Sequence, residues 1–389
     1  MSRFPFSDPR TLPVNVIGAL DFDERKGALA PRRLPAWTRP QVPQMMDVMV
    51  RMPSGVRLAF RTDSPAVTLT VNSTRMVTPP AAPRPVVFDL VANGRLMSHA
   101  CDAGSALLLN PAKPGEFELQ RGEPYDVTFE LGVGKKECEL WLPQNCFIEL
   151  HALCVEDEAQ LEAYEPGGPA WAHYGSSISH CMEADQPTGT WPAVAARRSG
   201  ARLQSFGVGG QCHLDPFVAR TIRDLAPDCI SIKVGINVVN LDSMRERVFQ
   251  PLLHGFVDTL RERCPNTPIL LVSPIFCPSA ETNPGPTRPD GNGQFRTFER
   301  APQFADGALT LQRIRTLLEE TVDARSDPNL HYLDGLRLFG ADDAGDLPDA
   351  LHPNPAGYRR MGERFSSLVF GPGGAFHELT PDVTGEGHP

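Results

Sequence analysis

The sequence predicts two domains of different class: an all-β domain over residues 1–160, then an α/β domain over 170–375 with a parallel sheet between two helical layers, followed by a short tail at 376–389. Three observations predict it. Up to about residue 153 the chain is a succession of short β-rich runs split by Pro, Gly, Asn and Asp. Several of these runs alternate polar and apolar side chains, as strands with one buried face do. Beyond about residue 170, short apolar strands alternate with helical stretches, the rhythm of a parallel sheet covered on both faces. Finally, 389 residues exceed the ~250–300 at which a single core stops growing.

Taken in order, the first domain offers β-rich runs at 55–61, 66–71, 86–91, 116–119, 125–131, 137–142 and 147–150. Almost no helical periodicity interrupts them, so an antiparallel β-sandwich of about seven or eight strands is expected. The proline-rich stretch 77–85 reads as a surface loop. Between about 159 and 171 the composition turns acidic and Pro/Gly-rich, ending Glu165-Pro166-Gly167-Gly168-Pro169, which marks a linker.

The second domain should hold helices over 186–198, 213–225, 244–264, 309–323 and 355–370, and strands over 203–208, 229–234, 269–272 and 330–333. The helix at 244–264 is the clearest, with Val248, Leu252, Leu253, Phe256, Val257 and Leu260 at helical spacing. The Pro/Gly/Asn-rich stretch 274–306 is too long for an ordinary connection. It reads as an ordered lid or an oligomer contact beside a cleft.

Ligands of such sheets lie outside the carboxyl ends of the strands. Four segments fall there: Gly175-Ser176-Ser177-Ile178-Ser179, Phe206-Gly207-Val208-Gly209-Gly210-Gln211, Lys233-Val234-Gly235-Ile236-Asn237 and Asp349-Ala350-Leu351-His352-Pro353-Asn354. Ser177 taken alone fits a helix N-cap. Together the four supply a hydroxyl nucleophile, a loop amide, a side-chain amide, and a carboxylate three residues before an imidazole.

In this order the four blocks resemble those of the SGNH, or GDSL-type, hydrolases. The preceding strands, with Phe88-Asp89-Leu90 and Leu140-Trp141-Leu142-Pro143, are similar to the β-sandwich that accompanies one bacterial branch of these esterases. The resemblance implies Ser177 as nucleophile, His352 as general base and Asp349 as its orienting carboxylate, with Ser177 N–H, Gly210 and Asn237 forming an oxyanion hole. It implies hydrolysis of short acyl esters, foremost acetyl, of a carbohydrate or small metabolite through an acyl-serine. Thioesterase or acyltransferase chemistry on the same scaffold, or a catalytically silent carbohydrate-binding protein, are the alternatives. The sequence departs from the pattern at Ser176, where aspartate or threonine is usual, and at Val238, where many members have aspartate. Neither position belongs to the catalytic set, so the departures bear on substrate preference.

Other classes are disfavoured. A net charge of −10 argues against a nucleic-acid partner, which needs a clustered basic surface. The nine cysteines are scattered with no C-x-x-C pair, so neither a disulfide framework nor a zinc site is expected. His173, His180 and His213, beside Cys181 and Cys212, lack metal-ligand spacing, and no metal or cofactor is expected. The N-terminus lacks the pattern of a secretory signal and no run approaches ~18 apolar residues, so the reading is cytoplasmic, with no membrane partner. A small-molecule or carbohydrate ester is the expected partner, with a homo-oligomer through 274–306 as the protein–protein possibility.

Overall fold

The computed structural model describes residues 1–8, 11–79, 82–110, 113 and 115–379. Residues 380–389 of the expected tail, and 80–81 within the expected loop 77–85, lie outside the described residues. The chain divides into two compact units: Met1–Pro166 with Asp185–Thr188, and Gly167–Ala184 with Gly189–Pro389.

The first unit is a sandwich of an eight-stranded and a six-stranded sheet. Alternation builds its core. The strand Tyr125–Glu130 buries Val127 and Phe129 and exposes Asp126, Thr128 and Glu130, and its Val127 stands opposite Leu69 of the antiparallel strand Ala66–Val77. The other sheet contributes Leu58, Phe60, Phe88, Leu90 and Leu140 to the same cluster. Each such side chain contributes about 1.5–3 kcal/mol when fully buried.

There are more strands than the seven or eight expected. Arg95–Cys101 alternates only between half-buried and exposed positions, and Ala28–Arg32 carries Pro31 and is mostly buried on both faces. Neither shows the clean alternation that a sequence scan detects. The sandwich is also not wholly antiparallel, since Ala66–Val77 pairs in parallel with Ser105–Leu109.

The second unit begins with strand β1 (Ala170–Gly175) and the single helical turn α1 (Ser177–His180). There follow α2 (Trp191–Ser199), β2 (Arg202–Gly207), α3 (Pro216–Leu225), β3 (Cys229–Lys233), α4 (Ile236–Leu241), α5 (Glu246–Arg261) and β4 (Ile269–Val272). A small hairpin, β5 (Thr287–Pro289) and β6 (Phe295–Thr297), precedes α6 (Leu311–Arg325), β7 (Leu330–Leu333) and α7 (Pro355–Phe365). The five-stranded sheet runs β2-β1-β3-β4-β7, every pair parallel. Strands β3 and β4 are buried at every residue, as a sheet covered on both faces requires. Helix α2 packs on α7 and α3 on α5.

Local chemistry sets the helix limits. Helix α3 starts at Pro216 rather than 213, because Leu214 is left-handed with φ 59° and a proline opens a helix readily at its first position. Helix α7 starts where Asn354 Oδ1 accepts the Gly357 N–H at 2.9 Å, and it stays α-helical only to Phe365 before a wider π turn over Ser366–Phe370. The strand order reverses between β1 and β3. That point is where a crevice opens in doubly wound sheets.

Candidate active site

Strand β1 ends in Gly175, where an added Cβ would lie 2.2 Å from Ser179 Oγ. Only glycine lets the chain turn back so tightly into α1. Ser176 caps that turn, its Oγ accepting the Ile178 N–H at 3.3 Å. The residue that departs from the family pattern therefore supplies a capping oxygen. Cys181 closes the turn in left-handed conformation, φ 59°. Ser177 is presented at the first position of this short helix.

The loop before α7 brings the imidazole. His352 Nε2 lies 2.9 Å from Ser177 Oγ, and His352 Nδ1 lies 2.7 Å from Asp349 Oδ2. The other carboxylate oxygen, Oδ1, accepts the N–H groups of Leu351 at 3.0 Å and His352 at 2.7 Å. One aspartate thus shapes the loop and orients the ring, leaving Nε2 facing the serine. Burial, the largest influence on the His352 imidazolium, disfavours it; the Asp349 hydrogen bond and the charges of Glu183 and Asp349 outweigh that and raise the pKa. Burial likewise opposes the Asp349 carboxylate, but the hydrogen bond and charge of His352 and the loop N–H groups hold its pKa below the ordinary value.

Two further segments, after strands β3 and β2, carry the expected oxyanion donors. Asn237, buried in the first turn of α4, accepts the Cys212 N–H at Oδ1, 3.0 Å away. A backbone N–H can only donate, so this bond fixes the amide orientation, and among the described residues no protein acceptor takes Nδ2. Gly210 has φ 68°, and an added Cβ there would meet nothing within 4 Å. Its glycine answers to left-handed backbone rather than to crowding. Among the described residues neither the Ser177 N–H nor the Gly210 N–H is taken by a protein acceptor.

Three features were not read from the sequence. Glu183 Oε2 accepts the buried Tyr358 hydroxyl at 2.8 Å and adds negative charge near His352. Phe295, in β6, sets its ring edge-on to the His352 ring at 5.5 Å. Its N–H also donates to Asp349 O at 2.8 Å. The stretch 274–306 thus contributes a hairpin braced on the loop that carries Asp349 and His352. His173 is buried and hydrogen-bonded to Ser231 and Ser179. Among the described residues no three His, Cys, Asp or Glu side chains gather in a metal-binding group, and no helix is long and apolar enough to cross a membrane.

A parallel α/β sheet with a serine, an imidazole and a carboxylate in hydrogen-bond sequence outside its strand ends defines the class of serine acylhydrolases. The model of the GDSL-like lipase/acylhydrolase family matches residues 173–360. Among solved structures the chain is similar to the salicylyl-acyltransferase SsfX3 from a tetracycline biosynthetic pathway, at 30% identity and TM-score 0.76, covering 93% of this chain and 95% of that one. It also shares its fold with a GDSL-like lipase from Bacteroides ovatus, at 19% identity and TM-score 0.65, over 95% and 97% of the two chains. A family two carbohydrate esterase from Cellvibrio japonicus matches at 13% identity and TM-score 0.55, over 94% and 96%. No curated protein sequence matches the chain. The chain belongs to the GDSL-like lipase/acylhydrolase family, in the two-domain form with a β-sandwich ahead of the catalytic domain.

Proposed function

We propose that the protein is a serine esterase that cleaves short acyl esters, foremost acetyl esters of a carbohydrate or small metabolite, through an acyl-serine. The observation that carries this reading is the hydrogen-bonded row Ser177 Oγ, His352 Nε2, His352 Nδ1 and Asp349 Oδ2, at 2.9 and 2.7 Å.

In this mechanism His352 takes the Ser177 proton as Oγ attacks the ester carbonyl. The negative oxygen of the tetrahedral intermediate receives hydrogen bonds from Ser177 N–H, Gly210 N–H and Asn237 Nδ2–H. The intermediate collapses, the C–O bond to the alcohol breaks, and the alcohol leaves with the proton from His352. Water, deprotonated by the same imidazole, then attacks the acyl-serine and releases the acid. Asp349 stays ionised and stabilises the imidazolium at each step.

A second reading has its own support. The 30% identity to a salicylyl-acyltransferase spans nearly the whole chain, which supports an alcohol in place of water as acceptor in the final step on the same site. The sandwich unit and the fold shared with carbohydrate esterases support a sugar as the alcohol. Nine unpaired thiols support a reducing compartment such as the cytoplasm.

The test is hydrolysis of p-nitrophenyl acetate, butyrate and octanoate by the wild type, Ser177→Ala and His352→Ala. Turnover that falls with chain length and drops by roughly 10³-fold or more in both variants is expected. Adding an alcohol acceptor and weighing ester against free acid separates transfer from hydrolysis. An inert wild type would turn attention to silent glycan binding.

A further inference from the structure

The serine turn is fastened from beneath by side chains that the mechanism above does not use. Trp191 Nε1–H donates to Ile178 O at 2.9 Å. Ser179 Oγ, two residues past Ser177, lies 2.8 Å from His173 Nε2. His173 Nδ1 lies 2.7 Å from Ser231 Oγ, and Ser231 Oγ lies 2.8 Å from Trp171 Nε1. His173, Ser179 and Ser231 are fully buried. The Trp191 ring meets the His173 ring edge-on at 4.6 Å.

One bond of this row has a fixed direction. An indole N–H can only donate, so Ser231 Oγ accepts from Trp171. Ser231 Oγ keeps one proton and a second lone pair for His173 Nδ1, so this bond forms in either neutral ring tautomer. The neutral ring carries one proton, so it donates to one of Ser231 and Ser179 and accepts from the other. Burial, reinforced by the Lys233 ammonium, pushes the His173 pKa down to about 3, so the ring keeps this neutral form across the working pH range.

We infer that His173 is a positioning residue of the acyl-transfer reaction: its ring, oriented by Ser231 at Nδ1, holds Ser179 at Nε2 and so fixes the turn that presents Ser177 Oγ to His352. The physical need is strict, since displacing a reacting atom by about 1 Å can cost ~10²-fold in rate. The turn is only four residues long and cannot hold its own geometry as a long helix would. The inference rests on the serine-esterase reading.

The experiment compares wild type, Ser179→Ala, His173→Leu and His173→Gln. It reads the labelling rate by a fluorophosphonate, kcat and KM for p-nitrophenyl acetate, the pH profile and Tm. Glutamine keeps one donor and one acceptor for the two serines. Ser179→Ala and His173→Leu should lower labelling and kcat by roughly ten- to a hundredfold, with KM within about twofold and the acid limb of the profile unmoved. His173→Gln should recover most of the loss. Ser179→Ala with wild-type labelling and turnover would overturn the inference and leave the row as core packing. So would a His173→Gln variant of native Tm that is as slow as His173→Leu. A wild type that neither labels nor turns over would overturn the serine-esterase reading itself, and this inference with it.

Discussion

At the scale of single residues, His352 must be neutral to accept the Ser177 proton, so the direction of its pKa sets the acid side of the activity profile. Burial works against the imidazolium, yet the Asp349 hydrogen bond and the charges of Glu183 and Asp349 raise the pKa above the ordinary ~6.5. The kcat/KM should therefore fall on the acid side with an apparent pKa above about 6.5. Glu183→Gln should move that limb down and leave the plateau rate nearly unchanged; a limb that stays put would remove Glu183 from the account. Stability runs the opposite way. A group whose folded pKa is raised stabilises the fold fully below its unfolded pKa, and the contribution is lost as pH rises through the folded value. The Tm difference between wild type and His352→Gln should thus be larger near about pH 5.5 than near about pH 9. Ser177, Asp349 and His352 were legible in the sequence because each lies in a short segment of recognisable order. Glu183 and Phe295 were not, since their approach to His352 is made by the fold. Gly210 was singled out in the sequence as an amide donor, whereas the left-handed φ that also calls for glycine there is set by the fold.

At the scale of elements, the hairpin β5–β6 changes the meaning of the stretch 274–306. Gln294 Nε2–H donates to Pro348 O at 2.8 Å, Phe295 N–H to Asp349 O at 2.8 Å, and Cys277 Sγ–H to Ala350 O at 3.6 Å. Three successive carbonyls of the loop that carries Asp349 and His352 are thus held by this stretch, and the Phe295 ring leans on the His352 ring. The sequence showed only that the stretch was too long and too rich in Pro, Gly and Asn to be a simple connection. Hairpins of three-residue strands carry too few residues for a period to show, whereas β3 and α5 were legible because apolar runs and helical spacing persist over them. Phe295→Ala should lower kcat by about tenfold through a loosened His352, an effect of the size expected for misplacing a catalytic group. Phe304→Ser, at a ring 62% exposed, should leave kcat unchanged. Steady-state kinetics of both variants on p-nitrophenyl acetate checks this, and equal effects would mean the hairpin acts through general stability alone.

At the scale of the whole molecule, the cysteines report on how well both units are closed. All nine are free; Cys101 is partly exposed and the other eight are buried. Their number was legible in the sequence, but not their burial, because a cysteine in a β-rich run sits equally well on either face of a strand. Burial also makes the thiols inert. It pushes Cys138 up to about 12 and raises Cys146, Cys181, Cys212 and Cys229 well above the ordinary value, while reaction with a disulfide reagent needs the thiolate. Ellman's reagent at neutral pH should therefore titrate one thiol quickly in the native protein and nine in denaturant. Cys138, Cys146 and Cys154 belong to the first unit and Cys181, Cys212, Cys229, Cys264 and Cys277 to the second, so peptide mapping of label taken up at rising urea says which unit opens first. Cys212 is tied to the candidate oxyanion residue by its N–H bond to Asn237, and its labelling should rise together with the loss of esterase activity. Activity that disappears while Cys212 remains protected would locate the loss in the His352 loop rather than at the oxyanion hole.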